Sequence, residues 1–311
     1  TDTVGKGAQI ARDFGADFVI GIGGGSAIDA TKAMALLIAN PEIDADNLHK
    51  APSRPLDHTP VVAVPTTCGT GSEATPVSII TNHKINLKKS IPHVIFPVLA
   101  LVDGKYLAFA KKQLIVNTAV DALAHIVERN LNVHSNTLNR MCPEYGLKLW
   151  GESKDALLSE GNATIDAINA APARETAAST NANLYEKLMY TSTIAGMSIA
   201  QTSTAVPHGM SYDLTLSKNV PHGPAVGYFL AAYVEICNKK VPQDVAKILS
   251  LLGLKSIEEF SEMLRKLIGT CTVTRELKDK FVAAMKVNRS KLELVPGGIT
   301  PEEIEGQGDK Y

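Results

Sequence analysis

Asp121 and His125 stand four residues apart in the run Val120-Asp121-Ala122-Leu123-Ala124-His125. On a helix, residues at i and i+4 share a face, so a carboxylate and an imidazole there can converge on one point. His208 and His222 follow later in the chain, each directly before a glycine. One carboxylate with three imidazoles suits a divalent first-row metal such as Fe²⁺ or Zn²⁺. An isolated helical Asp-x-x-x-His also arises as a surface pair or as a core histidine with a partner, and the residues by themselves leave both readings open.

Two loops carry a different chemistry. Gly23-Gly24-Gly25-Ser26 lies between the apolar run Phe18-Val19-Ile20-Gly21-Ile22 and a helical pattern from Ala27 to Ala39. Glycines allow a ligand to approach the backbone closely, and the helix start behind them offers free N–H groups and partial positive charge to a phosphate. A tight strand-to-helix turn with no ligand would use the same glycines, and the GxGxxG spacing is absent. Pro65-Thr66-Thr67-Cys68-Gly69-Thr70-Gly71-Ser72-Glu73 follows the apolar run Val61-Val62-Ala63-Val64. Its hydroxyls could bond phosphate, ribose or an amide, and loops at the carboxyl ends of strands in open α/β sheets are where ligands bind. An ordinary Ser/Thr/Gly turn is the alternative.

The elements that must position these residues fall into two blocks. Residues 8–14 and 27–39 read as helices, and 18–22, 61–64, 77–81 and 99–102 as strands, the first two of these buried. Residues 42–58 read as a long polar surface connection. Alternating helices and near-continuous apolar strands indicate an α/β layered half. From about Ala108, residues 111–130, 136–150, 184–201, 241–252 and 257–268 read as helices and strands disappear. The expectation is an α/β unit over 1–106 followed by an all-helical unit over 107–311.

Composition narrows the classes. Apolar residues make up 45% and the net charge is −1, which suits a soluble globular protein and argues against an electrostatic nucleic-acid binder. No apolar run approaches the roughly 20 residues of a membrane span, and Thr1-Asp2-Thr3 opens no signal peptide. Cys68, Cys142, Cys237 and Cys271 are scattered with no CxxC pair, which fits a reducing cytoplasm.

Taken in order, four stretches resemble the successive motifs of the iron-containing alcohol dehydrogenases. They are Gly23-Gly24-Gly25-Ser26-x-x-Asp29, Pro65-Thr66-Thr67-x-Gly69-Thr70-Gly71-Ser72-Glu73, Val120-Asp121-Ala122-Leu123-x-His125 and Pro221-His222-Gly223. Ala195-Gly196-Met197-Ser198-Ile199-Ala200, ahead of His208, is similar too. The resemblance implies a dehydroquinate-synthase-like fold: an N-terminal α/β dinucleotide-binding domain and an all-α metal-binding domain, with the active site between them. It implies metal-dependent hydride transfer between NAD or NADP and a small primary alcohol, diol or aldehyde. By matching positions, Asp121, His125, His208 and His222 would hold Fe²⁺ or Zn²⁺. Gly24, Gly25, Ser26 and Asp29 would meet the pyrophosphate, and Thr66, Thr67, Thr70 and Thr75 the ribose and nicotinamide. Lys88, or Lys89 after a small slip, would contact the cofactor, and Leu107 falls near the nicotinamide pocket. A homodimer or larger homo-oligomer is implied as well.

Some residues depart from the family. Tyr212 stands where many members carry a further histidine, so it is expected to line the pocket, with proton transfer left to water or cofactor hydroxyls. Cys68 and Ala119 replace small motif residues. The chain starts just before the glycine loop, so the first βαβ unit of the cofactor domain is expected to be missing, and the tail Glu305-Gly306-Gln307-Gly308-Asp309-Lys310-Tyr311 lacks a closing helix. A glycerol dehydrogenase or dehydroquinate synthase of the same fold, or a truncated non-catalytic paralogue, are the alternatives.

Overall fold

The computed structural model describes residues 1–85, 87–159, 178–271 and 273–305, with side chains in the stretch that resumes at 178 described from 182 onward. The chain opens with α1 (Asp2–Phe14), β1 (Val19–Gly23), α2 (Gly25–Ala39) and β2 (Val61–Pro65). Then come β3 (Ile79–Asn82), β4 (Leu87–Ser90) and the short β5 (Leu99–Ala100). The remaining described elements are helical: α3 (Lys112–Asn130), α4 (Met141–Leu158), α5 (Ala178–Thr202), α6 (Val206–Lys218), α7 (His222–Asn238) and α8 (Pro242–Leu251). They end with α9 (Ile257–Ile268), α10 (Arg275–Val287), α11 (Arg289–Leu292) and α12 (Pro301–Glu305).

Strands β1, β2 and β5 form a parallel sheet in the order β1-β2-β5, with Ile20 opposite Val62, Ile22 opposite Val64, and Val62 opposite Leu99. The strand expected at 77–81 lies instead in a separate antiparallel hairpin, β3 with β4, in which Thr81 pairs with Lys88. One face of the parallel sheet packs on α2: Ala33, Leu36 and Leu37 join Val4, Ala8, Val61, Ile80 and Ile95 in one apolar cluster. The other face corrects a sequence expectation. Strand β1 is not buried on both sides, because Ile20 is 52% and Ile22 66% exposed. An apolar run specifies a strand, but what covers its second face is set by other elements.

The helical half builds its own core, from Leu107 to Ile304, with Cys68 of the second loop tucked into it. Trp150 is fully buried there and its indole N–H donates to the Ala119 carbonyl at 2.8 Å. Local signals fix some of these helices. Ser256 caps α9 by accepting from the Glu259 N–H, with Glu258 and Glu259 in the first turn and Arg265 and Lys266 in the last, each charge complementing the helix dipole. Helices α6 and α7, unexpected from the sequence, begin among Pro207, Gly209, Gly223 and Pro224. Proline in a first turn removes an N–H that has no helical partner there, so it starts these helices and does not break them. Likewise α1 begins at Asp2, not Ala8, and α4 runs from Met141 to Leu158 where 136–150 was expected. The connection over 42–58 is less superficial than its composition implies, since Leu48 is fully buried. Of the tail, Pro301–Glu305 forms a short helix, and residues 306–311 lie outside the described residues.

Candidate metal centre and dinucleotide cleft

Helix α3 is buried from Ala119 to Asn130, so its polar side chains in that stretch face protein on every side. Asp121 and His125 project from one stripe of it, as their spacing predicts. Helix α6 brings His208 to them, and ligand atoms of Asp121, His125 and His208 lie within 4.8 Å of one another. His208 Nε2 is 3.4 Å from Asp121 Oδ1, and the His125 and His208 rings stack with centroids 4.3 Å apart. His222 stands at the rim: its Nε2 is 3.6 Å from the same Asp121 oxygen, while its side chain is 39% exposed. It reaches that place because α7 starts hard against α3, where a Cβ on Gly223 would lie 1.8 Å from the Asn117 carbonyl oxygen. Tyr212 stacks beside it, with ring centroids 6.0 Å apart.

The residues fit a divalent cation. Asp121 Oδ1, His125 Nδ1 and His208 Nε2 are buried and have no hydrogen-bond partner, an arrangement that costs about 1–3 kcal/mol per group unless something satisfies it. Burial opposes the Asp121 charge, but the three histidines around it hold its carboxyl well below the usual range. Burial, with the neighbouring His208 charge, lowers His125 to about 4. His208 goes the other way: burial works against its charge, yet Glu128 and Asp121 raise it to about 9. Neutral imidazoles and an ionised carboxylate are the donor set that first-row divalent metals take, so a bound cation would have to displace the proton from His208 Nε2.

Sequence reasoning missed Glu128. It lies seven residues after Asp121 and three after His125, which extends the same helical stripe, and that periodicity was the available signal. Its carboxylate accepts from His208 Nδ1 at 2.8 Å, from the His208 backbone N–H at 3.2 Å and from the Ala205 N–H at 2.6 Å.

The two loops meet beside this cluster. Gly24 caps α2 with no side-chain cap, so the first N–H groups of the helix have no side-chain partner. Thr66 N–H donates to the Gly23 carbonyl at 2.9 Å. A Cβ on Gly24 would lie 3.1 Å from the Thr67 side chain, and one on Gly25 2.6 Å from that of Thr70, so glycine is what lets the loops cross. Ser26 is exposed, and Thr66, Thr67 and Thr70 are half-buried along this crossing. On its far side the second loop abuts α5: Gly71, at φ +57°, would place a Cβ 2.5 Å from the Gly196 Cα.

Other expected cofactor residues are engaged within the protein. Asp29 accepts from Ser72 Oγ at 2.6 Å and from the Ile79 N–H at 2.9 Å. Thr75 is 3% exposed, and its carbonyl and hydroxyl accept from Lys32 Nζ at 2.8 and 3.3 Å. Lys32, a fully buried lysine that sequence reasoning also missed, further donates to Ser72 Oγ and the Val77 carbonyl and lies 3.9 Å from Asp29. The Asp29-x-x-Lys32 pair thus pins the second loop to α2. Lys88 is exposed on β4, and its charge reaches both His222 and Asp29. Leu107 is fully buried in the helical core.

A buried carboxylate–imidazole cluster thus lies beside a helix N-terminus crossed by a hydroxyl-rich loop, at the junction of an α/β and a helical half. Residues 1–104 match the model of the iron-containing alcohol dehydrogenases and 162–291 that family's C-terminal model. A solved iron-containing alcohol dehydrogenase is 31% identical, with a TM-score of 0.79, over 99% of this chain and 78% of that one. The chain belongs to the iron-containing alcohol dehydrogenase family. It is also similar to a sulfoacetaldehyde reductase from Bifidobacterium kashiwanohense solved with NAD⁺, at 26% identity and a TM-score of 0.81 over 99% of this chain and 79% of that one. An NADPH-dependent butanol dehydrogenase of Clostridium saccharobutylicum is 28% identical over 99% of this chain and 72% of its own length. Against two further curated relatives the chain spans 33% and 60% of their length.

Proposed function

We propose that this protein transfers a hydride between NAD or NADP and a small primary alcohol or diol, or the matching aldehyde. The observation that carries the reading is the convergence of Asp121, His125 and His208 as buried, unpartnered ligand atoms next to the two-loop crossing. Asp121, His125 and His208 would hold Fe²⁺ or Zn²⁺, with His222 as the fourth ligand from the rim. The ion would supply Lewis acidity at the substrate oxygen, and the nicotinamide would exchange the hydride. The N-terminus of α2, through Gly24, Gly25 and Ser26, would take the pyrophosphate, and Thr66, Thr67 and Thr70 would line the path to the nicotinamide. Asp29, Lys32 and Thr75 would act one step back, by holding that loop in place. Lys88 would supply positive charge at the mouth. Burial, together with the Asp121 and Glu128 charges, pushes the Tyr212 phenol further up, which supports a pocket-lining role over a proton relay.

The proposed units are 1–106 for the cofactor and 107–311 for the metal. The bare face of the parallel sheet supports a covering partner for it, since parallel sheets are almost always covered on both faces. Among the described residues no helix is long and apolar enough to cross a membrane, and scattered cysteines with no CxxC pair support a reducing compartment such as the cytoplasm. Assembly as a homodimer or larger is part of the proposal and rests on the family resemblance.

The reaction class is tested by supplying NADH and NADPH with both C4 hydrogens of the nicotinamide replaced by deuterium, together with butanal, with Fe²⁺ or Zn²⁺ added. Deuterium at C1 of the butanol, read by mass spectrometry, is the expected result. Oxidised cofactor without label in the alcohol would overturn direct hydride transfer, and absence of any turnover would favour a non-catalytic chain.

A further inference from the structure

The Glu128 carboxylate is 1% exposed, and its two oxygens collect three N–H donors, all from the start of α6. Two of them, the Ala205 and His208 backbone N–H groups, belong to the helix N-terminus, where the first amides have no helical partner. The third is a ring nitrogen of a candidate ligand. A neutral imidazole that donates from Nδ1 presents an unprotonated Nε2 on the opposite side of the ring, and His208 Nε2 is the atom that points at Asp121 and lacks a hydrogen-bond partner. Glu128 therefore stands outside the centre of the cluster and reaches it through the His208 ring.

We propose that Glu128 is a positioning residue of the metal centre: by accepting from His208 Nδ1 and from the first turn of α6 it fixes the ring's tautomer and aims Nε2 at the metal. The proposal rests on the metal reading above. It makes α3 the organiser of the whole site, because one stripe supplies two ligands, Asp121 and His125, and the holder of a third. A glutamine could not replace Glu128. With its oxygen toward Nδ1, its NH₂ would confront the Ala205 N–H. With its NH₂ toward Nδ1, the ring would have to carry its proton on Nε2, on the side of the ligand atoms.

The test compares Zn²⁺ affinity, by chelator competition, of the wild type, Glu128→Gln and Lys291→Met. Lys291 Nζ donates to the Thr204 carbonyl, to Ser203 Oγ at 3.3 Å and to Thr204 Oγ1 at 2.8 Å, so its loss loosens the same turn and removes a charge that acts on Glu128, while leaving the Glu128–His208 hydrogen bonds in place. The expected result is an affinity lowered by about 10- to 100-fold in Glu128→Gln and unchanged within about threefold in Lys291→Met. Equal losses in both variants would assign the effect to the turn and overturn the proposal, as would a Glu128→Gln affinity equal to wild type. A wild type that binds no Zn²⁺ would overturn the metal reading itself. If Glu128→Gln does not fold, ¹⁵N-histidine NMR of the Zn²⁺-loaded wild type decides. The proposal requires a protonated Nδ1 on His208, and a protonated Nε2 with Nδ1 bound to metal would refute it.

Discussion

The two halves of this chain finish their cores to different degrees. In the helical half, α3 is enclosed from Ala119 to Asn130, and Asp121, His125 and Glu128 are fixed by packing on all sides. In the α/β half, α2 covers one face of the sheet while Ile20, Ile22, Leu99 and Leu101 face solvent on the other. Burying a side chain of that kind contributes about 1.5–3 kcal/mol, so the open face leaves several kcal/mol unrealised in this chain. The difference teaches that the proposed metal cluster is organised within one half, whereas the proposed cofactor half depends on its loops being tied down and on a cover for its sheet.

The largest effect that would sharpen this contrast is expected at Lys32. Lys32→Met leaves the buried Asp29 without its cation and should cost about 3–5 kcal/mol in urea denaturation, with Zn²⁺ affinity of the helical half retained. A loss below about 1 kcal/mol would show that the loop is not held by this residue. The same residue gives a pH signature. Burial lowers Lys32 from 10.5 to about 8, so between those values the unfolded chain binds more protons than the folded one. Stability from Lys32 should therefore rise from pH 8 to about 10.5 and level off above, and the wild type's advantage over Lys32→Met should widen over that window.

A smaller effect on stability, but a visible one on association, is expected on the open face. Ile22→Lys with Leu99→Lys should change stability by no more than about 0.5 kcal/mol per site and reduce self-association in light scattering. A loss above about 2 kcal/mol would mean that the face is packed in solution, and the contrast between the halves would fail. The smallest effect concerns thiols. Burial pushes Cys68 and Cys237 up to about 12, so iodoacetamide at pH 8 should label the exposed Cys142 and leave those two intact in the folded protein. Labelled Cys68 in a peptide map would indicate that the second loop opens away from α3.

Much of the site is legible in the sequence, but for uneven reasons. The Asp121–His125 spacing carries its own geometry, because a helix has one period. His208 and His222 are visible as residues, while their helices are not, since Pro207 and Pro224 read as breakers until their first-turn positions are known. Glu128 and Lys32 look like the solvent face of an amphipathic helix, and only the packing of α6 and of the second loop reveals them as buried. The exposed face of β1 escapes a sequence reading because its covering depends on elements other than the strand.

The central claim is tested most directly by titrating Zn²⁺ or Fe²⁺ into metal-stripped protein while recording bound metal and NAD(P)H oxidation with a short aldehyde in the same sample. The account predicts one ion per chain, turnover rising in proportion to it, and loss of both in Asp121→Ala with the fold retained. Full turnover in the stripped protein, or turnover in Asp121→Ala equal to wild type, would contradict it.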